Sequence, residues 1–363
     1  MKTLTKSGRI FKYNISPFYN NLKNNFYMLN IKKMNLPDFI DPWLDRFYEP
    51  LEIDLLLILA DKPIEKKQIV TLLKKNRTLK DYNNFDLFLE RAFQRGVIKR
   101  LDDQCIEPED FHTRYDFWAL FEGWKDLPLE IKDRLNHWEL SHYIESHTQS
   151  AEDLKKGEKR DPDKIYPEYI LLDEVKALFK KIPRFYLWPC NCRAMIGKCG
   201  KSRFTCIRFS NNRGIGWEIS REKALDIVKD ANKKGLMQSA ELGLDIHGNI
   251  TGALCNCCSD CCFPHQLSEK LNVQKYWPLS RYLAQGPNQD CIKCGKCVKR
   301  CPFRIISQTK DIKGKKLLVP VIDDDQCRGC GVCATGCPEG AIKMKQIKKS
   351  VFETAYHHTG KDN

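Results

Sequence analysis

Eight cysteines between residues 291 and 337 fall into two copies of one spacing. They are Cys291-x2-Cys294-x2-Cys297-x3-Cys301-Pro302 and Cys327-x2-Cys330-x2-Cys333-x3-Cys337-Pro338. Thiolates spaced in this way enclose three corners of a [4Fe–4S] cube, and the fourth cysteine of each run crosses to the other cube. The pattern therefore assigns Cys291, Cys294, Cys297 and Cys337 to one cluster, and Cys327, Cys330, Cys333 and Cys301 to a second. Two cubes held side by side form a path for single electrons. Zinc also takes C-x2-C pairs, but a 2-2-3 run with a trailing proline, given twice, is not a zinc-ribbon layout. Every motif position recurs 36 residues later, so one supersecondary unit is repeated. Gly295, Gly329, Gly331 and Gly336 fall between ligands, where a chain wound round a cluster is expected to need unusual backbone angles.

Nine further cysteines form a second set: Cys190-x-Cys192, Cys199 and Cys206, then Cys255-x-Cys257-Cys258-x2-Cys261-Cys262. Each group follows an expected strand, and the two groups must meet in space to share a metal. One soft-metal site takes about four such ligands, so nine serve one site with spares or two sites. The cubes downstream favour a third Fe–S cluster, with zinc as the alternative. Arg193 would steady a negatively charged cluster or an anionic substrate, or form a surface ion pair. His265 is a minor candidate ligand, and Cys105 stands alone as a structural residue.

On its two complete motifs, the segment 286–345 resembles the bacterial-type two-[4Fe–4S] ferredoxin family. The resemblance implies a small α+β fold with pseudo-two-fold symmetry and low-potential one-electron transfer. The 25-residue stretch between Cys301 and Cys327 is longer than in minimal members, and residues 315–322 suggest an extended hairpin there. Pro189-Cys190-Asn191-Cys192-Arg193 together with the run Cys255 to Cys262 is similar to uncharacterised [4Fe–4S]-binding proteins of anaerobic bacteria and archaea. In these a cysteine-rich domain precedes a ferredoxin domain. That likeness implies a third site and assigns no activity.

The elements that must position these ligands are expected to form an α+β chain in three parts. A winged-helix-like module would occupy residues 37–110, a helical and then cysteine-rich α/β domain 111–285, and the dicluster ferredoxin-like domain 286–345. A flexible basic extension (1–36) and a tail (346–363) flank them. In the first module, helices are expected over 51–60, 64–73 and 85–96, then strand, turn and strand over 97–106. Lys74, Lys75, Arg77, Lys80, Arg91, Arg95, Lys99 and Arg100 would give it a basic side, suited to DNA or left as the surface of a scaffold. Residues 111–150 are expected to be helical, with their aromatics forming interdomain core, and 151–164 reads as a charged linker. Helices over 168–182 and 220–236 and strands over 185–188 and 250–254 would carry the second cysteine set.

Composition sets the outer limits. The 363 residues allow two or three domains, and 42% hydrophobic with 30% charged content describes a globular protein. The longest aliphatic run, Leu55 to Ala60, is too short for a bilayer. No apolar leader indicates secretion, so the 18 cysteines read as ligands in a reducing cytoplasm rather than as disulfides. The net charge of +14 resides in the two ends, residues 1–37 and 288–363, which favours an acidic redox partner. No G-x-G-x-x-G fingerprint is present, so hydride chemistry is not expected. The chain reads as an electron-transfer protein or an electron-transfer subunit of a larger oxidoreductase. The alternatives are an Fe–S enzyme acting at the third site and a redox-sensing winged-helix regulator that binds DNA.

Overall fold

The computed structural model describes residues 4–6, 9–11, 34–59, 63–75, 84–102, 104–123, 127–158, 161, 164–314, 316–350 and 352. Most of the basic extension and the tail beyond residue 352 lie outside these residues. The chain divides into two compact units, Met1–Trp138 and Glu139–Asn363.

In the first unit, α1 (Pro50–Leu59) buries Ile53, Leu55, Leu56 and Leu59. Ile64, expected to start a helix, instead enters a two-residue strand, β1 (Ile64–Glu65). Its backbone pairs with Cys105 and Ile106, and the helix α2 (Lys66–Lys75) starts only after that pairing. α3 (Phe85–Gln94) starts at Asn84, whose side chain accepts the Leu87 N–H at 3.1 Å. β2 (Ile98–Arg100) and β3 (Cys105–Pro108) complete an antiparallel sheet of order β1-β3-β2.

Much of the expected basic side is neutralised locally. Arg95 pairs with Glu49 and Glu52, Lys99 with Glu107 at 2.8 Å, and Arg100 with Glu90. The side chains of Lys74, Lys75, Arg77 and Lys80 lie outside the described residues. The aromatics expected between domains pack inside this unit. Phe47 meets Phe111 and Trp118 at ring-centre distances of 5.2 and 4.8 Å, on the helix α4 (Phe111–Phe117) and the turn that follows it.

α5 (Leu129–Lys156) extends six residues into the segment expected as a linker. Ala151 and Leu154 are the reason: both are buried, in one cluster with Tyr166, Leu267 and Trp277. In the second unit, Glu168 belongs not to a helix but to β4 (Pro167–Tyr169), which pairs with Ser239–Glu241. There follow α6 (Leu172–Lys181), β5 (Phe185–Pro189), α7 (Asn191–Ile196), β6 (Phe204–Arg208) and β7 (Trp217–Ile219). α8 (Arg221–Lys233), capped by Ser220, leads into the long hairpin of β8 (Met237–Leu244) and β9 (Ile250–Cys257).

The sheet order is β4-β8-β9-β6-β5-β7, and every strand pairing is antiparallel. This domain is therefore α+β, a correction to the expected α/β. The tight turn after β8 accounts for it, with Asp245 accepting the N–H groups of His247 and Asn249 at 2.9 and 2.8 Å. α6 and α8 cover one face through Val175, Phe179 and Val228, packed with Phe185, Phe209 and Leu254.

After α9 (Phe263–Leu271), the C-terminal part is built from β10 (Tyr282–Gln285), α10 (Lys296–Arg300), β11 (Ile306–Ser307), β12 (Val321–Ile322), α11 (Val332–Thr335) and β13 (Lys343–Gln346). β10 pairs with β13, and β11 with β12. Buried ion pairs fasten this part to the sheet. Arg281 lies 2.7 Å from Glu174 and 3.6 Å from Glu168, and the Tyr282 hydroxyl donates to Glu174 at 2.7 Å.

Gly329 sits at φ +67°, and a Cβ there would meet the Tyr282 carbonyl oxygen at 2.1 Å. The substitution Gly329→Ala should destabilise the protein by roughly 1–3 kcal/mol. Anaerobic thermal unfolding checks this, and an unchanged midpoint would show that the close approach is not needed.

Candidate functional site

The two C-terminal motifs surround two hollows. Cys291, Cys294, Cys297 and Cys337 line one, with Pro287 and Ile342. Cys301, Cys327, Cys330 and Cys333 line the other, with Phe303 and Ile306. Each hollow takes three cysteines from one motif and one from the other. The exchange follows from α10 packing on α11, which sends Cys301, directly after α10, and Cys337, two residues after α11, toward the other loop. Burial raises the thiols of Cys297, Cys330 and Cys333, the last to about 12. Bound metal would favour their thiolates over the protonated thiols.

Gly295, Gly329 and Gly331 adopt positive φ as expected, but Gly336 does not. Its requirement is space, because a Cβ there would lie 1.9 Å from Arg300 Nε.

The other nine cysteines divide into six and three. Thiol–thiol hydrogen bonds join Cys190 to Cys192 and Cys206, Cys206 to Cys255, Cys255 to Cys257, Cys257 to Cys262, and Cys262 back to Cys192. These contacts close a six-membered ring. Sheet register assembles it: Cys206 on β6 faces Trp188 of β5, and Leu254 of β9 faces Ile207 of β6. Cys255 and Cys257, two apart on β9, project from one face. The remaining three, Cys199, Cys258 and Cys261, stand apart, with their sulfurs all within 4.8 Å of one another.

Within the ring, hydrogen bonds from the Cys192 and Cys206 thiols hold Cys190 well below the ordinary thiol value, and the same bonds push Cys192 and Cys206 well above it. Beside them Arg193 is buried, which removes the surface ion pair considered for it. Its Nη1 donates to the Ser202 carbonyl and its Nη2 to the Asn256 carbonyl, while Nε has no partner. Burial opposes this charge, but Cys190, Cys206, Cys258 and Cys257 keep the guanidinium pKa above its ordinary value. A buried cation whose side-chain partners are neutral carbonyls calls for anionic charge nearby. Metal-bound thiolates in the ring would provide it.

His265 is engaged at both ring nitrogens, with the Tyr169 hydroxyl at 2.7 Å and the Cys258 carbonyl at 2.9 Å. It orients the Cys258 segment and has no nitrogen left for a metal.

A buried amide chain, not foreseen from the sequence, connects the ring to the second hollow. Arg300 and Thr335 hold the Asn232 side chain at 3.3 and 2.7 Å. Asn232 Nδ2 donates to Gln238 Oε1 at 2.7 Å, Gln238 Nε2 to Asn256 Oδ1 at 2.9 Å, and Asn256 Nδ2 to the Thr205 carbonyl at 2.7 Å. Asn256 lies between the ring cysteines 255 and 257. Alongside it, Cys257 and Cys262 share one apolar cluster with Val332, Phe303 and Cys330. Six-thiol ring and second hollow are therefore neighbours.

Comparison with known proteins bears on the C-terminal part. The family model described as a 4Fe-4S dicluster domain matches residues 290–341. An uncharacterized ferredoxin of Methanocaldococcus jannaschii is 38% identical over 60 residues, which is 16% of this chain and 74% of that protein. Pyruvate synthase subunit PorD of Methanothermobacter marburgensis is 40% identical over 58 residues, and ferredoxin-type protein NapF of Haemophilus influenzae is 36% identical over 59. Each of these two matches covers 16% of this chain, and the chain spans 59% of PorD and 32% of NapF. No solved structure matches the chain.

Substituting Asn256→Leu would remove the donor to the Thr205 carbonyl and one of the two acceptors of Gln238 Nε2, which keeps the Leu236 carbonyl at 3.1 Å. A buried group left unpaired costs about 1–3 kcal/mol. The urea midpoint under argon should fall accordingly, and a midpoint within error of the parent would show that the amide chain is dispensable.

Proposed function

The chain belongs to the 4Fe-4S dicluster ferredoxins through residues 290–341, and on that premise we propose that it is a relay of three iron–sulfur centres. It acts as an electron carrier or as the electron-transfer subunit of a larger oxidoreductase. The first cube takes Cys291, Cys294, Cys297 and Cys337, and the second takes Cys327, Cys330, Cys333 and Cys301. The third centre occupies the six-thiol ring. The observation that carries this reading is the exchange of one cysteine between two four-cysteine hollows. The buried, carboxylate-free Arg193 supports an anionic centre in the ring.

The order of the relay follows from position. The ring shares an apolar cluster with Cys330, so it exchanges electrons with the second cube. The first cube lies nearest solvent, where Cys294 is exposed and Ile292 is 60% exposed. Lys293, Lys296 and Lys299 surround that face, so an acidic partner protein docks there. Among the described residues no helix is long and apolar enough to cross a membrane. The oxygen lability of such centres supports a location in the cytoplasm of an anaerobe.

Within the first unit, the segment from α1 to β3 runs α1-β1-α2-α3-β2-β3 with a sheet in the order β1-β3-β2, and this order supports the winged-helix reading. With Arg95, Lys99 and Arg100 already paired to acids, a docking scaffold is favoured over a DNA reader.

Anaerobically purified protein should contain about eight irons in its two cubes, the complement of a dicluster ferredoxin, and further iron in the ring. Cys257→Ala with Cys262→Ala should remove the further iron and leave the spin-coupled signal of the reduced cubes. Fewer than about eight irons in the parent protein, or no signal on reduction, overturns the relay. Reduction by an acidic donor should slow as salt rises, and a salt-independent rate would refute the basic docking face.

A further inference from the structure

We propose that Cys199, Cys258 and Cys261 form a zinc site separate from the six-thiol ring, with three thiolate ligands and a fourth position open to water.

The first argument is distance. A tetrahedral zinc ion with Zn–S bonds of about 2.3 Å holds its thiolates roughly 3.8 Å apart. The three sulfurs already lie within 4.8 Å of one another. A cuboidal cluster places iron corners between its thiolates and so spreads them wider. The C-terminal cysteines provide the internal comparison: they surround hollows, and among the described residues none of their trios meets the 4.8 Å limit that Cys199, Cys258 and Cys261 meet.

The second argument is the local backbone. Cys258-x2-Cys261 is the two-residue spacing of a zinc knuckle. The Cys261 N–H donates to Cys258 Sγ at 3.3 Å, and the Cys199 N–H donates to the Cys261 sulfur. Backbone N–H donors of this kind suit sulfurs that carry thiolate charge once metal is bound. Cys199 is flanked by Gly197 at φ +65° and Gly200 at φ +63°, a turn that presents the single ligand from its own loop.

The third argument is the wall and the opening. Ala231, Leu236 and Ile196 pack against the trio, so the site is dry on its inner side. Cys258 and Cys261 are buried, whereas Cys199 is only partly so. Among the described residues no fourth histidine, cysteine or carboxylate joins the group, and His265 is occupied elsewhere. Water therefore completes the tetrahedron on the Cys199 side. The ion fastens the loop after α7 to the segment between β9 and α9; α7 itself carries the ring cysteine Cys192, and that segment carries Cys262.

The test measures zinc and iron on the same samples of full-length protein purified without oxygen. About one zinc per chain is expected, falling below about a tenth of that in Cys199→Ser and in Cys258→Ser with Cys261→Ser, while iron per chain stays at the parent value. Cobalt added after zinc removal should give the intense thiolate-to-cobalt band and the visible bands of a tetrahedral ion. That measurement on the parent chain decides the question even if the variants fold poorly. Parent protein with full iron and no zinc, cobalt bands of octahedral type, or loss of iron with zinc retained in Cys199→Ser would each overturn the site. Normal zinc with missing iron would instead sink the electron-relay reading and leave this one standing.

Discussion

The side-chain amides of Asn232, Gln238 and Asn256 form the interaction on which the rest of the second unit depends. All three residues are buried, so each donor and acceptor left unpaired would carry a full desolvation penalty. Satisfying them fixes α8 against β8, β8 against β9, and α8 against α11. The same contacts set the separation between the six-thiol ring and the second hollow. Electron exchange falls steeply with distance, so a relay needs that separation held constant. Buried hydrogen bonds, short and directional, do this better than apolar packing alone.

The cysteines contribute the opposite of stability until metal is bound. Buried thiols crowded together resist ionisation, and Arg193 adds a buried positive charge whose guanidinium donates only to carbonyls. A metal in the proposed third centre would draw protons from these thiols, and the resulting thiolates would supply the negative field for the guanidinium. Folding and metal loading would then be coupled. The pairing of Arg281 with Glu168 and Glu174 needs no metal.

The sequence was most legible where spacing alone decides the chemistry. The two 2-2-3 runs foretold which cysteines line each hollow, and α1, α3 and α8 followed from their apolar residues. Two short strands and one long one were not legible. Ile64–Glu65 and Pro167–Tyr169 are strands because partners far along the chain offer an edge, and β8 escaped notice because Gln238, Ser239 and Glu241 interrupt its apolar residues. The helix α5 ran past its expected end because Ala151 and Leu154 find a core that their charged neighbours disguise. The division of nine cysteines into six and three was equally hidden. It depends on which strands lie side by side, and local pattern does not encode that. Gly336 was noticed for the right residue and the wrong cause.

Arg300 precedes the cysteine that crosses to the second hollow, and its guanidinium grips the carbonyls of Asn232 and Lys233 at the end of α8 and of Val332 at the start of α11. The C-terminal part is therefore no interchangeable cassette. A free-standing relative grafted in its place would bring its cubes but not this grip, and would leave the end of a foreign helix unclasped. Evolution or engineering could exchange that part only by rewriting α8 along with it, so the two stretches are bound to drift as one inheritance.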